Sequence, residues 1–392
     1  MTTDERSREE KIDTDERSRE ETIDTAELHA WAYLSRVVEP PCPELAALVD
    51  DVGPVEAADR VRRGEVDEPL SSRSEARRDF DRAAEDLAVL ARLGGRLIVR
   101  GSAELSGVTF RSFADVAARI PHPPLVLWAV GPEHLADLAA RSCALVGTRA
   151  STGYGEYVAA DLATGLVERE VAVVSGGAYG IDGAAHRAAL AADGPTVAVL
   201  AGGVDVPYPA GHSALLHRIA THGLVVSEYP PGLRPARHRF LTRNRLDAAF
   251  GGATVVVEAG LRSGAASTAA WAEALGRPVC AVPGPVTSSA SAGCHVLVRN
   301  GAHLVTRTDE IVELVGRMGE FAAEPSHQGS PLDGLTEHEL RVYDALPARG
   351  GRTVDEVAVS AGLPPTQVLG PLASLELVGL VARTGGRWKL VR

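Results

Sequence analysis

Six short aliphatic runs between residues 143 and 284 end in glycine or proline, and each is followed by a segment of helical length. The runs are CALVG, VAVVSGG, TVAVLAGG, LVVSEYP, ATVVVEAG and PVCAVPG. Continuous apolar runs are typical of strands buried on both faces, and strand–helix units in series require right-handed parallel crossovers. The pattern predicts a doubly wound parallel α/β sheet, with helices on both faces, over residues 125–316.

Apolar residues at helical spacing dominate the chain before this sheet, as in Leu45, Leu48, Val49 and Val52. Spacings of three and four residues predict amphipathic helices. We therefore expect a small helical domain over residues 26–96. The α/β domain is then assigned to residues 97–318.

Both flanking segments lack a regular apolar pattern. Residues 3–13 recur as residues 14–24 with a single change, and both copies are rich in charge. Because such a repeat buries nothing, residues 1–25 are predicted to form a disordered tail. Residues 319–334, rich in glycine, serine and proline, are predicted to be a linker.

The C-terminal segment, residues 335–392, predicts a winged-helix domain. Helices are expected from Thr336, Val354 and Pro364, followed by two short β segments. The third helix, which reads DNA in many winged-helix proteins, carries no arginine or lysine here. A helix that reads the major groove needs hydrogen-bond donors, so we favour a protein-contact or structural role for this domain.

Composition and charge narrow the class of protein. The 392 residues are 45% hydrophobic and 23% charged with a net charge of −12, which excludes wholesale disorder. No run is long and apolar enough for a membrane span, and no apolar secretory segment begins the chain, so we expect a cytoplasmic protein. The cysteines are scattered without a CxxC pair and predict buried thiols, with neither a metal site nor a disulfide framework: Cys42, Cys143, Cys280 and Cys294.

Glycine-rich turns mark the carboxyl ends of the predicted strands. In a doubly wound sheet these ends meet at one rim, where amides freed by glycine and helix N-termini can bind phosphate. Tight turns without a ligand are the alternative for any one of them, but several around one rim favour a binding site. The turns are Gly147-Thr148-Arg149, Ser175-Gly176-Gly177-Ala178, Gly202-Gly203 and Gly260–Gly264, the last including Ser263.

The strongest electrostatic feature is the segment RPARHRFLTRNR, residues 234–245, which carries five arginines and no acidic residue. It follows a predicted strand and includes Phe240. Guanidinium groups suit phosphate oxygens and an aromatic ring stacks on an unpaired base, so the segment predicts a platform for single-stranded nucleic acid. A solvated charge run is one alternative. Pairing of Arg243 and Arg245 with carboxylates of the fold is another.

A series of motifs resembles the DNA-processing protein A (DprA/Smf) family over roughly residues 97–316. In order, the motifs are ALVGTRASTGYG, VVSGGAYGIDGAAH, GGVDVPYP, FLTRNR, VVVEAGLRSGAASTAAWA and AVPGPVTSSASAG. The resemblance implies a homodimeric, cytoplasmic protein that binds single-stranded DNA on an extended Rossmann fold. It also implies loading of a RecA-type recombinase during natural transformation, without catalytic turnover, and a SAM-like type for the N-terminal helical domain. No cofactor is expected, and the residues show no metal-binding constellation.

The resemblance carries over to individual positions. Arg149 matches the basic residue after the first glycine strand end, Phe240 matches the family aromatic, and Arg237 matches the basic residue three positions before it. The backbone cradle corresponds to Ser175, Gly176 and Gly177, and the family's RNR motif to Arg243, Asn244 and Arg245. Gly147, Thr148, Ala178, Ser263 and Gly264 complete the predicted DNA-binding set. The sequence departs from the family pattern at Leu241, Thr242, His212 and His295.

Two rival functions remain open from the sequence. A nicotinamide-dependent dehydrogenase would need GxGxxG after a strand, which is not present here, and the related nucleotide phosphoribohydrolases use PGGxGTxxE, where this chain has Trp271 in place of the glutamate. No catalytic residue is therefore assigned. The second rival is an adaptor whose winged helix reads duplex DNA while its α/β domain senses a nucleotide.

Several polar residues near the predicted site are interpreted as structural. Asp182 is expected to cap the helix that carries His186 by accepting from its first amides. His186 lies among alanines at helical spacing, which is typical of a hydrogen-bonded packing histidine. Tyr208, Pro209 and Glu258 are expected to fix the fold.

Overall fold

The computed structural model describes residues 24–108, 123–316, 332 and 334–391. The chain divides into two compact units, Met1–Ala322 and Ala323–Arg392. The predicted tail lies outside the described residues except for its last two positions. The predicted linker lies outside them except for residues 332 and 334.

The first unit begins with a helical bundle that packs on the sheet. Trp31, Tyr33 and Leu34 of its first helix share a buried cluster with Leu97 and Trp128 of two strands. The bundle and the α/β sheet thus belong to the same compact unit, although the sequence assigns them to separate domains. The bundle helices are α1 (Thr25–Val37), α2 (Pro43–Val52), α3 (Pro54–Arg63), α4 (Leu70–Ser74) and α5 (Ala83–Arg92).

A nine-stranded sheet forms the centre of this unit, in the order β1-β2-β6-β5-β4-β3-β7-β8-β9. All six strands predicted from the aliphatic runs are present and parallel to one another, which confirms the doubly wound sheet. The strands are β1 (Gly95–Val99), β2 (Val126–Val130), β3 (Ser142–Val146), β4 (Ala172–Ser175), β5 (Thr196–Leu200), β6 (Leu224–Ser227), β7 (Ala253–Val256), β8 (Val279–Ala281) and β9 (His303–Leu304).

Three strands extend the sheet beyond the sequence prediction: β9, which pairs parallel with β8, and the two strands at the other edge, β1 and β2. β1 pairs antiparallel with β2, and β2 pairs antiparallel with β6. β1 begins at Gly95, inside the segment assigned from sequence to the helical domain. A Cβ on Gly95 would lie 2.5 Å from the carbonyl oxygen of Ala129, so this close approach of two strands requires glycine.

Helices cover both faces of the sheet. One buried cluster joins alternate strand residues to α7, α11 and α12, and the cluster on the opposite face joins the intervening residues to α8, α9 and α14. The helices are α6 (Ala103–Ser106), α7 (Leu135–Ala140), α8 (Gly153–Val167), α9 (Ile181–Ala191), α10 (Ser213–His222), α11 (Arg237–Phe250), α12 (Gly264–Ala274), α13 (Ala292–Arg299) and α14 (Thr308–Val315).

The strand order reverses between β3 and β7. From β3 the chain proceeds through β4 and β5 to β6, and then returns to the other side of β3 to form β7, β8 and β9. In open α/β sheets, such a reversal leaves a crevice outside the carboxyl ends of the two central strands. The topology therefore places a crevice beside the turns that follow β3 and β7.

The second unit is a winged helix, as predicted. It consists of α15 (Glu337–Asp344), α16 (Val354–Ala361), α17 (Pro365–Leu377) and a hairpin of β10 (Val381–Thr384) and β11 (Arg387–Leu390). Thr336 and Thr353 each begin a helix with a capping box, in which a threonine hydroxyl and a glutamate satisfy backbone amides. The unit has its own buried core around Val342, Leu372 and Trp388.

All four cysteines are buried free thiols, which confirms the sequence prediction for Cys42, Cys143, Cys280 and Cys294. Burial raises the pKa of the Cys294 thiol to about 11 and that of Cys280 to about 12. Within the described part of the chain, no helix combines the length and apolar character needed to cross a lipid bilayer.

Candidate nucleic-acid interface

A cleft of about 780 Å³ opens at the strand reversal. Most of the predicted site residues line it, from four separate stretches of chain. They are Gly147, Thr148, Arg149, Ala178, Arg237, Phe240, Arg243, Asn244, Ser263 and Gly264. The structure thus brings together the turns after β3 and β4, the first half of α11 and the start of α12.

The turn after β3 is held by close backbone packing. The amide of Thr148 donates to the carbonyl oxygen of Glu258 at 2.8 Å, which ties it to the end of β7. Gly180 has φ +76°, and a Cβ there would lie 2.3 Å from the carbonyl oxygen of Thr148. These contacts fix the backbone from which Arg149 projects, so Gly180 acts by permitting this approach.

Two aromatic rings, Phe240 and Tyr208, form one side of the cleft, which we call the aromatic wall. The guanidinium carbon of Arg149 lies 4.6 Å from the centroid of the Phe240 ring, a cation–π distance. The ring of Tyr208 lies 5.5 Å from that of Phe240, and Tyr208 is 46% exposed. From the sequence, Tyr208 is expected to fix the fold, but here it also lines the cleft. Its position shortly after the Gly202-Gly203 turn was the available signal.

Three exposed arginines surround the cleft: Arg149, Arg237 and Arg262. Among the described residues, no carboxylate lies within 4.0 Å of any of their guanidinium groups. Arg262 was missed by the sequence analysis, although it lies within the predicted Gly260–Gly264 turn. Because these cations are unpaired and exposed, they are the ones available to an anionic ligand.

The floor of the cleft is a buried charge cluster on α11 and α9. Arg243 donates to the carbonyl oxygen of Val199 at 2.8 Å and lies 3.3 Å from Asp247. Burial raises the pKa of Asp247 to about 7, against the opposing effect of Arg243. Burial likewise raises the pKa of Asp182, which the same arginine opposes. The floor therefore carries charges that largely compensate one another.

The predicted backbone cradle lies beneath the surface. Ser175, Gly176 and Gly177 are buried and do not line the cleft. The hydroxyl of Ser175 donates to the carbonyl oxygen of Leu145 at 2.6 Å, and a Cβ on Gly176 would lie 1.8 Å from Arg243 Nη1. Gly176 thus leaves room for the Arg243 guanidinium.

Arg245 also lies inside the fold rather than at the cleft. Its side chain is 1% exposed and forms two hydrogen bonds of 2.6 Å to the carboxylate of Glu228, which is itself buried. This is the carboxylate pairing given as an alternative from the sequence. The pair joins α11 to the end of β6, so Arg245 does not belong to the surface of the cleft.

The far side of the cleft is the start of α12. Ser263 caps this helix by accepting from the amide of Ala266 at 3.4 Å. The side-chain amide of Asn244 donates to the carbonyl oxygen of Gly264 at 3.2 Å, which ties α11 to the same turn. The amide-rich end of a helix is therefore held beside Arg262, and such an end favours anions.

The residues interpreted as structural have internal partners. Glu258 accepts from the amide of Thr152 at 2.9 Å and from its hydroxyl at 2.6 Å, so it anchors the start of α8. His186 Nδ1 lies 2.8 Å from Thr196 Oγ1, and burial lowers the pKa of this histidine to about 3. Asp182 accepts from the amide of Ala178, in the preceding turn, instead of from the first amides of its own helix.

The family model for DNA recombination-mediator protein A matches residues 108–316, more than half of the chain. The chain belongs to the DprA/Smf family. The DNA processing protein DprA of Mycobacterium tuberculosis is 66% identical over 366 residues, which cover 93% of this chain and 94% of that protein. Protein Smf of Escherichia coli is 36% identical over 253 residues, 64% of this chain and 67% of its own length. These matches confirm the resemblance drawn from the motifs.

Solved structures agree with this DprA/Smf assignment. The crystal structure of DprA from Streptococcus pneumoniae matches with a TM-score of 0.58 and 30% identity, over 74% of this chain and 97% of that one.

A second family model, the sugar-specific transcriptional regulator TrmB, matches residues 333–392. This match agrees with the winged-helix fold of the second unit.

Proposed function

We propose that this DprA/Smf family member binds single-stranded DNA at the cleft beside β3 and β7, without changing it chemically. Arg149, Arg237 and Arg262 contact phosphates, and Phe240 and Tyr208 stack on bases. One observation carries the proposal: three unpaired, exposed arginines line the same cleft as the half-buried ring of Phe240 and the exposed ring of Tyr208.

Chemistry favours an unpaired strand over a duplex at this site. A base can reach an aromatic wall inside a cleft only if it is free of a complementary strand, and stacking contributes about 1–3 kcal/mol per base whatever the sequence. Three phosphate contacts predict a log–log salt dependence with a slope near −2 for single strands. Binding is therefore expected to be salt-sensitive and largely independent of sequence.

A role without turnover is consistent with the polar groups of the cleft. Its two carboxylates, Asp182 and Asp247, are buried, and Asp247 is paired with Arg243. Trp271 occupies the position of the glutamate that related phosphoribohydrolases use. Among the described residues, no three His, Cys, Asp or Glu side chains are arranged to hold a metal ion.

The resemblance to the DprA/Smf family extends the proposal to partners. We propose a cytoplasmic homodimer that protects incoming single strands and loads a RecA-type recombinase onto them during transformation or recombination. The names of its relatives in Mycobacterium tuberculosis and Streptococcus pneumoniae, as DNA processing proteins, support this role. A dimer would present two such clefts to one strand and raise its affinity through effective concentration.

The direct test is a gel shift with a short oligo-dT, in competition with a duplex of the same length. We expect the single strand to win, and Arg149→Ala to weaken binding. Arg218→Ala is the matched control, because Arg218 is exposed on α10 and does not line the cleft. Preference for duplex would instead favour reading by the winged helix, and consumption of a nucleotide would favour the enzyme alternative.

The partner part of the proposal needs two further measurements. Light scattering coupled to size exclusion should give twice the chain mass. A RecA-type recombinase should assemble faster on oligonucleotides already coated with single-strand-binding protein when the wild-type chain is added. A monomer would reject the proposed dimer, and an unchanged rate of recombinase assembly would reject the proposed loading. Neither result would contradict binding of single-stranded DNA.

A further inference from the structure

The helical bundle contacts the chain at two points, one just before the arginine-rich segment and one within it. At the first, Arg36 Nη2 donates to the carbonyl oxygen of Pro231 at 2.7 Å. At the second, Glu39 accepts from Arg239 Nη2 at 2.6 Å and from Nε at 3.2 Å. These contacts lie at the two ends of residues 231–239, which we call the basic loop.

Both contacts are reinforced by neighbours. Arg36 is also paired with the buried Asp86, at 2.8 Å between Nη2 and Oδ1. Arg239 stacks over the ring of Tyr229 at 4.8 Å, and its side chain is 9% exposed. Burial raises the pKa of Glu39, but hydrogen bonds from Arg239 and Arg77 outweigh this effect, so its pKa lies below the usual value. Glu39 is therefore a carboxylate at neutral pH.

The segment between these contacts carries two exposed cations, of which Arg237 lines the cleft. Arg234 and Arg237 are exposed and lie between the two anchored ends. Within its own α/β sheet, the loop is held by Asp205, which accepts from the amide of Gly232 at 2.8 Å. Helix α11 starts at Arg237 without a side-chain cap. Its first turn is anchored by the Glu39–Arg239 pair and by the hydrogen bond from Arg239 Nη1 to the carbonyl oxygen of Arg234 at 2.8 Å.

We propose that Arg36 and Glu39 are positioning residues for DNA binding, through which the helical bundle holds the basic loop and the first turn of α11 in their binding geometry. This inference rests on the proposed function of the cleft. Neither residue contacts DNA itself. The bundle thereby takes part in strand binding without supplying a phosphate contact.

Charge and position predict opposite effects of a Glu39 substitution on the affinity for DNA, which makes the proposal testable. Removing the Glu39 carboxylate beside a cationic loop would strengthen the attraction for DNA if position did not matter. If Glu39 positions the loop, Glu39→Ala should raise the Kd for oligo-dT about fivefold, a size within the range of couplings between contacting residues. The salt slope should stay unchanged, because no phosphate contact is removed.

Amide hydrogen exchange supplies a second readout. Exchange over residues 232–238 should become faster in Glu39→Ala. Glu39→Gln keeps the shape of the side chain and should lie between wild type and the alanine variant, which also keeps the test open if the alanine variant folds poorly. Asp50→Ala is the matched control, because its pair with Arg100 at 2.7 Å joins the bundle to the chain after β1, away from the basic loop.

Each outcome separates this proposal from the function on which it depends. Weaker binding in both Glu39 variants, with normal binding by Asp50→Ala, supports the positioning role. Unchanged or tighter binding with unchanged exchange overturns it and leaves the strand-binding function standing. A wild-type chain that ignores oligo-dT at low salt overturns the proposed function and this inference together.

Discussion

The two ends of the arginine-rich segment perform different tasks. At its start, Arg234 and Arg237 are exposed and have no carboxylate partner among the described residues. Further along, Arg243 and Arg245 are buried, and each is paired with an acidic side chain. Residues of one type, within twelve positions, thus supply both a binding surface and internal ion pairs. Availability to a ligand depends on exposure and pairing, and not on the number of arginines.

Helical spacing agrees with the division for Arg237 and Arg243 but not for Arg245. Arg245 follows the exposed Leu241 by four residues, yet it is buried, as are all of residues 243–250 of α11. In α11, Arg239, Arg243, Asp247 and Phe250 follow at spacings of three and four, so they share the face that packs on the sheet. Arg237 and Leu241 share the opposite, exposed face. The buried arginines must pair because an unpaired charge in the interior is strongly unfavourable.

The largest expected effect tests the buried end. Arg245→Ala leaves the buried Glu228 carboxylate unpaired and should lower the free energy of unfolding by about 3–5 kcal/mol. Urea denaturation measures the change. The double variant Glu228→Leu with Arg245→Leu, which removes both charges, should recover most of the loss. A stable Arg245→Ala protein that no longer binds oligo-dT would assign Arg245 to the DNA surface and abolish the contrast.

The second prediction concerns pH. Burial raises the pKa of Asp247 from 3.8 to about 7. Between these two pH values the carboxyl is protonated in the folded state and ionised in the unfolded state. The resulting stability is fully present below pH 3.8 and is lost as the pH rises through 7. Asp247→Asn should remove this decline, which is on the order of a few kcal/mol. Denaturant titrations at pH 5 and pH 7.5 measure it, and an unchanged decline in the Asn variant would assign it to another group.

The third prediction moves to the aromatic wall. Phe240→Ala should weaken oligo-dT binding by about 1–3 kcal/mol, because one stacking face is lost. Phe240→Leu keeps an apolar side chain without a ring and should lose nearly as much, whereas Phe240→Tyr should bind almost normally. Fluorescence anisotropy gives the affinities. Equal binding by the Leu and Tyr variants would show that apolar contact, and not stacking, is the source.

The smallest effect tests the exposed end. Arg237→Ala should weaken binding to every sequence alike and flatten the log–log salt slope by about 0.7, the value for one phosphate contact on a single strand. Its stability should remain within about 0.5 kcal/mol of wild type, as for most surface substitutions. Arg237→Lys keeps the charge and should preserve the slope. A stability loss like that of Arg245→Ala would erase the distinction between the two ends.

The sequence was most informative where many residues shared one pattern. The six central strands were predicted because each is a continuous apolar run that ends at a turn residue. The strands β1, β2 and β9 were not predicted. Antiparallel pairing of β1 and β2 at one sheet edge depends on which chain segments meet in space, and β9, at the other edge, is only two residues long. Similarly, Tyr208 and Arg262 are single residues in turns, which have no periodic signal.

By itself the sequence determined the doubly wound sheet, the winged helix and the family. It also determined the rim of the sheet at which the glycine-rich turns lie. Periodicity and turn chemistry depend only on residues that are close together along the chain, so they can be recognised from the sequence. Only the tertiary structure decided which arginines remain exposed, that Arg245 pairs with Glu228, and that the helical bundle reaches the basic loop through Glu39. Those outcomes depend on charges that are brought together from distant parts of the chain, and no spacing along one segment encodes them.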